Sequence, residues 1–152
     1  MIDIEIEATA WTDALPHAEV LARAAAEAAL EDAADLTVLL TDDAAVRELN
    51  GRFLDKDTPT NVLAFPAAPN PENHLGDIAL AFGVCTREAA EQGKPLAHHL
   101  QHLVVHGVLH LLGYDHIGDD DAQAMERLEC AVLSGLGVPD PYARGDGDDE
   151  RA

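Results

Sequence analysis

The chain has few basic residues and few aromatic residues for its length. Among its 152 residues, Lys and Arg number 9 against 29 Asp and Glu, which gives a net charge of −20. This charge repels phosphate chains and argues against tight unassisted binding to nucleic acid, because contacts from Lys and Arg supply most of that affinity. Aromatic residues make up only 4%. We therefore expect an aliphatic core built on Val, Leu and Ile.

Cysteines and long apolar runs are also scarce. Cys85 and Cys130 lack a C-x-x-C pair or a paired Cys/His spacing, which disfavours a disulfide scaffold and a zinc ribbon and predicts two buried free thiols. No run approaches the roughly 18 apolar residues of a membrane span. The N-terminal residues alternate too early to form a signal peptide. The sequence thus predicts a soluble, cytoplasmic protein that does not enter a membrane.

Three histidines stand in the segment His-Gly-Val-Leu-His-Leu-Leu-Gly-Tyr-Asp-His, at 106–116. Four residues advance a helix by about 400°, so His106 and His110 share one face and lie about 6 Å apart along the axis. Gly113 suits the left-handed conformation that ends a helix, after which the chain can bring His116 back. This spacing predicts a metal site with three imidazole ligands and one open position, as in catalytic zinc sites.

The same spacing matches the zincin pattern H-E-x-x-H-x-x-G-x-x-H at its metal-binding positions. Gly107 replaces the glutamate that acts as the base of those peptidases, so a peptidase of the usual kind is disfavoured. A single histidine at helical spacing is usually a polar surface residue. Three unpaired imidazoles among apolar neighbours would be costly, which favours the metal interpretation.

The remaining pattern predicts a single α+β domain over residues 1–142, followed by an acidic, disordered tail at 143–152. Strands are expected at 2–7, 36–40, 61–65 and 75–82, the first at or near a sheet edge. Helices are expected at 17–30, 43–50, 84–92, 96–112 and 120–133, with a loop at 51–60. Gly76 and Asp77 fit a β-bulge, a turn that faces the site, or an ordinary strand entry. The result is a small four-stranded mixed sheet covered by about five helices, with the metal site at the end of a helix in the C-terminal half.

With these residues in place, the chain resembles the YbeY family of endoribonucleases. The resemblance rests on the histidine segment and on four further stretches: Leu49-Asn50, Thr-Pro-Thr-Asn-Val-Leu-Ala-Phe-Pro at 58–66, Leu-Gly-Asp-Ile at 75–78 and Asp-Pro-Tyr at 140–142. It implies a zinc-dependent enzyme, with one Zn²⁺ per chain on His106, His110 and His116. It also implies cleavage of single-stranded RNA in small-subunit rRNA maturation and ribosome quality control, with the ribosome or small-subunit proteins as partners.

The resemblance also bears on residues around the histidine segment. His99 and His102 match two family histidines, for which lining an RNA groove, tuning the metal site and an ordinary surface role all stay open. The family arginine before Lys-Asp-x-Pro-Thr falls at Leu54, with Arg52 two positions earlier. If Arg52 faces solvent, we expect weak catalysis or a need for a partner. Ala64 stands where the family commonly has serine.

The motif offers no obvious catalytic base. Three roles stay open for Asp115: orienting His116, capping the turn and transferring a proton. Attack by the RNA's own 2′-hydroxyl would reduce the need for activated water. Two other functions fit the same residues. One is a metallohydrolase acting on another substrate, which agrees better with the net charge of −20. The other is a ribosome-assembly factor in which the metal is mainly structural.

Overall fold

The computed structural model describes residues 1–30, 32–54, 60–114 and 118–142. Within these ranges the chain forms four strands and six helices. The strands are β1 (Ile2–Ile6), β2 (Asp35–Thr41), β3 (Val62–Pro66) and β4 (His74–Ala81). The helices are α1 (Ala10–Ala14), α2 (Ala18–Ala29), α3 (Asp43–Leu54), α4 (Phe82–Glu91), α5 (Leu96–Leu111) and α6 (Asp119–Gly135). All four predicted strands are confirmed to within one residue at each end.

Two helical segments differ from the prediction. The short helix α1 was not expected, and it places Trp11 in the core, where the indole Nε1–H donates to the carbonyl of Thr41 at 2.9 Å. Helix α3 continues through Arg52 to Leu54, so the first part of the predicted loop 51–60 is wrong. Gly51 costs a helix only about 1 kcal/mol, and the packing of Val46 and Leu49 against the sheet holds the helix in place. Residues 55–59 of that predicted loop lie outside the described residues.

The four strands form one mixed sheet in the order β1-β2-β4-β3. Strands β1, β2 and β4 are parallel, and β3 runs antiparallel to β4 at the opposite edge from β1. The predicted mixed sheet and the edge position of the first strand are therefore confirmed. The free edge of β3 is the part of the sheet that matters for the site, since it faces the histidine helix across a cleft.

Helix α5 packs on one face of the sheet, and its apolar residues lie at the centre of the main core. Gly107 permits a close approach to the sheet, because a Cβ atom there would lie 2.9 Å from Cγ2 of Ile78. The position that carries glutamate in zincins thus has no room for a side chain. Helix α3 covers the other face, where Val46 packs with Leu63 and Ala79.

A β-bulge at the start of β4 settles the question left open at Gly76 and Asp77. Asp35 pairs with His74 and Thr37 pairs with Asp77, so β4 contains one extra residue there. Gly76 has φ +143°, and a Cβ atom would lie 2.2 Å from the carbonyl oxygen of Phe65. Only glycine allows this approach of β3 to β4.

Helix α5 ends in a Schellman motif, as the position of Gly113 predicts. Gly113 has φ +103°. Its amide donates to the carbonyl of His110, and the amide of Tyr114 donates to the carbonyl of Leu109, both at 3.0 Å. The predicted acidic tail, 143–152, lies outside the described residues. Each described helix lacks the length and apolar character that a bilayer crossing requires.

Candidate metal centre and adjoining clefts

Helix α5 carries a row of four histidines at the spacing three, four, four. Ring centroids lie 6.2 Å apart between His99 and His102, 6.3 Å apart between His102 and His106, and 4.6 Å apart between His106 and His110. Residues three and four apart share one helix face. The helix therefore presents a continuous row of imidazoles, of which the last two are closest.

The Nε2 atoms of His106 and His110 lie 3.1 Å apart. Two nitrogens bound to the same tetrahedral zinc at about 2.0–2.1 Å would lie about 3.3 Å apart, so the observed pair is near the separation that one ion requires. The sequence-based expectation that these two rings converge agrees with this geometry. His116, the third predicted ligand, lies outside the described residues.

Glu129 on α6 is fully buried beside this row. Its carboxylate accepts hydrogen bonds from Nδ1 of His106 and from the hydroxyl of Tyr142, and Nε2 of His102 lies 3.5 Å from it. Burial by itself raises the pKa of a carboxyl group, but these three partners outweigh it and hold the pKa of Glu129 at about 2. Burial and the contact with Glu129 both raise the pKa of Tyr142, which remains a neutral donor.

These contacts determine which nitrogen of His106 carries the proton. An ionised carboxylate only accepts hydrogen bonds, so Nδ1 of His106 must carry the proton and Nε2 is left with a lone pair. This arrangement, in which a carboxylate orients a ligating imidazole, is common in zinc sites. The structure also offers a second set of candidate metal ligands. Ligand atoms of His102, His106 and Glu129 lie within 4.8 Å of one another and could hold a metal ion.

Glu129 was not predicted as a site residue from the sequence. The signal was present, because Glu129 lies four residues from both Met125 and Leu133, which are buried on the same face of α6. A carboxylate inside an apolar stripe is expensive unless it has partners. Its partner could not be named from the sequence, since 23 residues separate Glu129 from His106.

A cleft of about 450 Å³ opens between α5 and the free edge of β3. His106, Gly107 and His110 form one wall, and residues 60–64 with Pro66 form the other. Ala64 is in that second wall, so a hydroxyl at this position would face the cleft. None of the described residues that line it carries a carboxylate, in keeping with the absence of a catalytic base from the motif.

The buried His99 of α5 forms a second pair with the half-buried Glu88 of α4. Nε2 of His99 lies 2.9 Å from Oε1 of Glu88, which also accepts a hydrogen bond from the side-chain amide of Asn61 at 2.9 Å. Burial lowers the pKa of His99 more than Glu88 raises it, which favours the neutral imidazole. His102 contacts Glu129, the carboxylate beside the candidate metal site, which fits the role of tuning that site. His99 contacts a different carboxylate, that of Glu88.

Arg52 lies in the last turn of α3 and is exposed. Its guanidinium carbon stands 5.7 Å from the ring centre of Phe53, which is 62% exposed. The side chain therefore faces solvent, the condition under which we expect weak catalysis or a need for a partner. Leu54, where the family arginine would fall, has a side chain outside the described set.

Comparison with known proteins identifies the chain's relatives. The family model described as Endoribonuclease YbeY matches residues 3–137. Curated proteins named Endoribonuclease YbeY are similar over most of their length. The one from Azorhizobium caulinodans is 49% identical over 93% of this chain and 96% of its own. The one from Paramagnetospirillum magneticum is 46% identical over 93% and 94%. The one from Rhodopseudomonas palustris is 48% identical over 95% and 82%.

A solved structure shares the fold. The solution structure of TM1509 from Thermotoga maritima matches 98% of this chain and 100% of its own, with a TM-score of 0.57 and 23% sequence identity. At this identity the likeness concerns the fold alone. The match of the family model and the identity to three curated members, by contrast, cover nearly the whole chain. The chain belongs to the endoribonuclease YbeY family.

Proposed function

We propose that the protein is a metal-dependent endoribonuclease that cuts single-stranded RNA and uses one Zn²⁺ per chain. The ligands are His106, His110 and His116. Membership of a family whose curated members are named endoribonucleases supports RNA as the substrate. The observation that carries the metal dependence is the pair of Nε2 atoms 3.1 Å apart, with Nδ1 of His106 engaged by Glu129.

The donor set fits zinc. Neutral imidazole nitrogens suit Zn²⁺ and related transition metals, whereas Mg²⁺ and Ca²⁺ prefer oxygen ligands. When bound, a zinc ion supplies Lewis-acid polarisation of a phosphoryl oxygen and lowers the pKa of bound water. Glu129 keeps His106 in the tautomer in which Nδ1 carries the proton and Nε2 does not. Tyr142 holds Glu129 in place through its hydroxyl.

The edge strand β3 offers a surface for the RNA backbone. The amide of Ala81 donates to the carbonyl of Asn61, and the amide of Ala67 donates to the carbonyl of Leu75. The backbone N–H and C=O of the odd-numbered residues of β3 thus form the hydrogen bonds to β4. The backbone N–H and C=O of Val62 and Ala64 point the other way, to the free edge of the sheet. The peptide N–H of Ala64 is placed to donate to a phosphate oxygen, a contact that positions a nucleic acid without reading its sequence.

The proposed setting is small-subunit rRNA maturation and ribosome quality control in the cytoplasm, with the ribosome or small-subunit proteins as partners. The net charge of −20 supports a partner, since a chain with so few cations binds free RNA weakly. The exposed position of Arg52 agrees with this, because it leaves the described cleft without a guanidinium to hold a phosphate.

The test uses purified, metal-analysed protein on matched single-stranded and double-stranded RNA. His110→Ala removes a proposed ligand, and His17→Ala, an exposed histidine before α2, is the matched control. We expect the wild type and His17→Ala to cut only the single strand. His110→Ala should lose both metal and cleavage while keeping its circular-dichroism spectrum. Absence of cleavage by metal-loaded wild type, alone or with small ribosomal subunits, would contradict the proposal and favour an assembly role.

The proposed role in small-subunit rRNA maturation is tested in cells. Loss of the protein should cause precursors of the small-subunit rRNA to accumulate. Wild type and His17→Ala should restore maturation, and His110→Ala should not. Complete rescue by His110→Ala would remove RNA cleavage from the cellular role.

A further inference from the structure

A second cleft, of about 960 Å³, lies beside the metal centre. Helices α4 and α5 and the segment 138–142 form its walls. Asn61 lines both this cleft and the cleft that holds His106 and His110. The two clefts therefore adjoin at Asn61.

Flat rings form part of this wall. His98 and His102 line it together with Tyr142, whose ring meets that of His102 edge to face at a centroid distance of 5.5 Å. The rings of Tyr and His are surfaces on which proteins stack the bases of single-stranded RNA. Half-buried rings also provide this contact without the cations that this chain lacks.

The charges in the cleft disfavour a phosphate group. Among the described residues that line the cleft, Lys94 is the single Lys or Arg, and three lining residues carry carboxylates: Glu88, Glu91 and Asp140. A dianion or a phosphodiester would be repelled. An uncharged planar group with hydrogen-bond donors on its edge would be accepted.

Glu88 supplies an acceptor for such a donor. Among the described residues, His99 and Asn61 both contact its Oε1, and its side chain is 29% exposed. Oε2 can therefore accept a hydrogen bond from an entering group. Carboxylates recognise the exocyclic amine of a base in this way, as Glu does with cytosine.

We propose that this cleft binds one nucleobase of the single-stranded RNA next to the cleavage cleft and prefers a base that carries an exocyclic amine. The identity of the polymer rests on the proposed function. Ring stacking supplies the affinity, and Glu88 supplies the preference for cytosine over uracil.

The first experiment reads binding without cleavage. The ring protons of His98 are followed by NMR while cytidine, uridine or inorganic phosphate is added to the zinc-loaded protein. We expect cytidine to shift His98 and leave His17 unchanged, and phosphate to shift neither. Glu88→Gln should weaken cytidine about tenfold or more, since a hydrogen bond to a charged group is lost. Equal binding of cytidine and uridine, or a response to phosphate in place of nucleoside, would overturn the assignment.

The second experiment uses RNA. His98→Ala should raise KM about fivefold or more, the range for losing one stacked base, with kcat and zinc content unchanged and with His17→Ala as control. Unaltered KM in His98→Ala, together with no response to nucleosides, overturns this inference and leaves the proposed function standing. Wild type that binds cytidine and cuts no RNA overturns the proposed function and leaves the nucleobase site standing.

Discussion

Nδ1 of His106 donates a hydrogen bond to the buried carboxylate of Glu129, which joins α5 to α6 at the proposed metal centre. The bond fixes the tautomer of a proposed metal ligand, and the two residues lie 23 positions apart in the sequence. Glu129 has no exposed surface. Its charge is therefore retained for its contacts within the site rather than for solubility.

Replacing Glu129 with Gln should weaken zinc binding. Gln keeps the shape of the side chain but removes the negative charge that favours the protonated Nδ1 of His106. Loss of such an orienting partner typically costs about 10–100-fold in metal affinity. Competition with a zinc chelator measures the change, and Glu126→Gln, on an exposed part of α6, is the matched control. Equal affinity of the two variants would show that Glu129 does not orient the ligand.

His102 distinguishes the two possible ligand sets. If the ion sits on Nε2 of His106 and His110, His102→Ala should keep one zinc per chain, whereas His110→Ala should lose it. The reverse result would place the ion in the cluster of His102, His106 and Glu129. Metal content after dialysis against a weak chelator, measured by atomic emission, separates the two sets.

Metal affinity should fall as the pH drops below about 6. Histidine must be neutral to bind a metal, and an unperturbed imidazole titrates near pH 6.5. Protons and metal thus compete for the same nitrogen. Zinc occupancy measured between pH 5 and pH 8 should rise with pH, and a flat profile would argue against histidine ligation.

The sequence predicted the parts of the structure that depend on neighbouring residues. Alternation located β1, and the glycine after the last turn located the end of α5, because both signals act within a few positions. Helix α1 was missed because five residues give no helical period, and its place depends on the burial of Trp11. Glu129 was missed for a similar reason, since its partners come from other parts of the chain.

Gly107→Ala should destabilise the fold. The added methyl group would meet Ile78 at 2.9 Å, and overpacking of this kind costs about 1–3 kcal/mol. Gly135→Ala, where the same atom meets nothing within 4 Å, should be neutral or slightly stabilising. Urea unfolding measures both. Ile78→Ala removes all three atoms that the added methyl group would meet. Gly107→Ala should therefore cost less in an Ile78→Ala background than in the wild type, and an equal cost would show that the strain lies elsewhere.

Cys85 should make the fold sensitive to alkaline pH. Burial, with smaller contributions from Glu88 and Asp43, raises the pKa of its thiol far above the usual range. The unfolded chain releases the thiol proton near pH 9 and the folded chain does not. The contribution of this proton to the free energy of unfolding is therefore fully present below pH 9 and declines above it. The expected loss is about 1.4 kcal/mol per pH unit. Urea unfolding of wild type and Cys85→Ala is measured at pH 8, 9 and 10. Lys and Tyr contribute equally to both proteins, so the difference between their free energies of unfolding reports the thiol alone. A difference that does not change with pH would show that the thiol ionises equally in the folded and unfolded states.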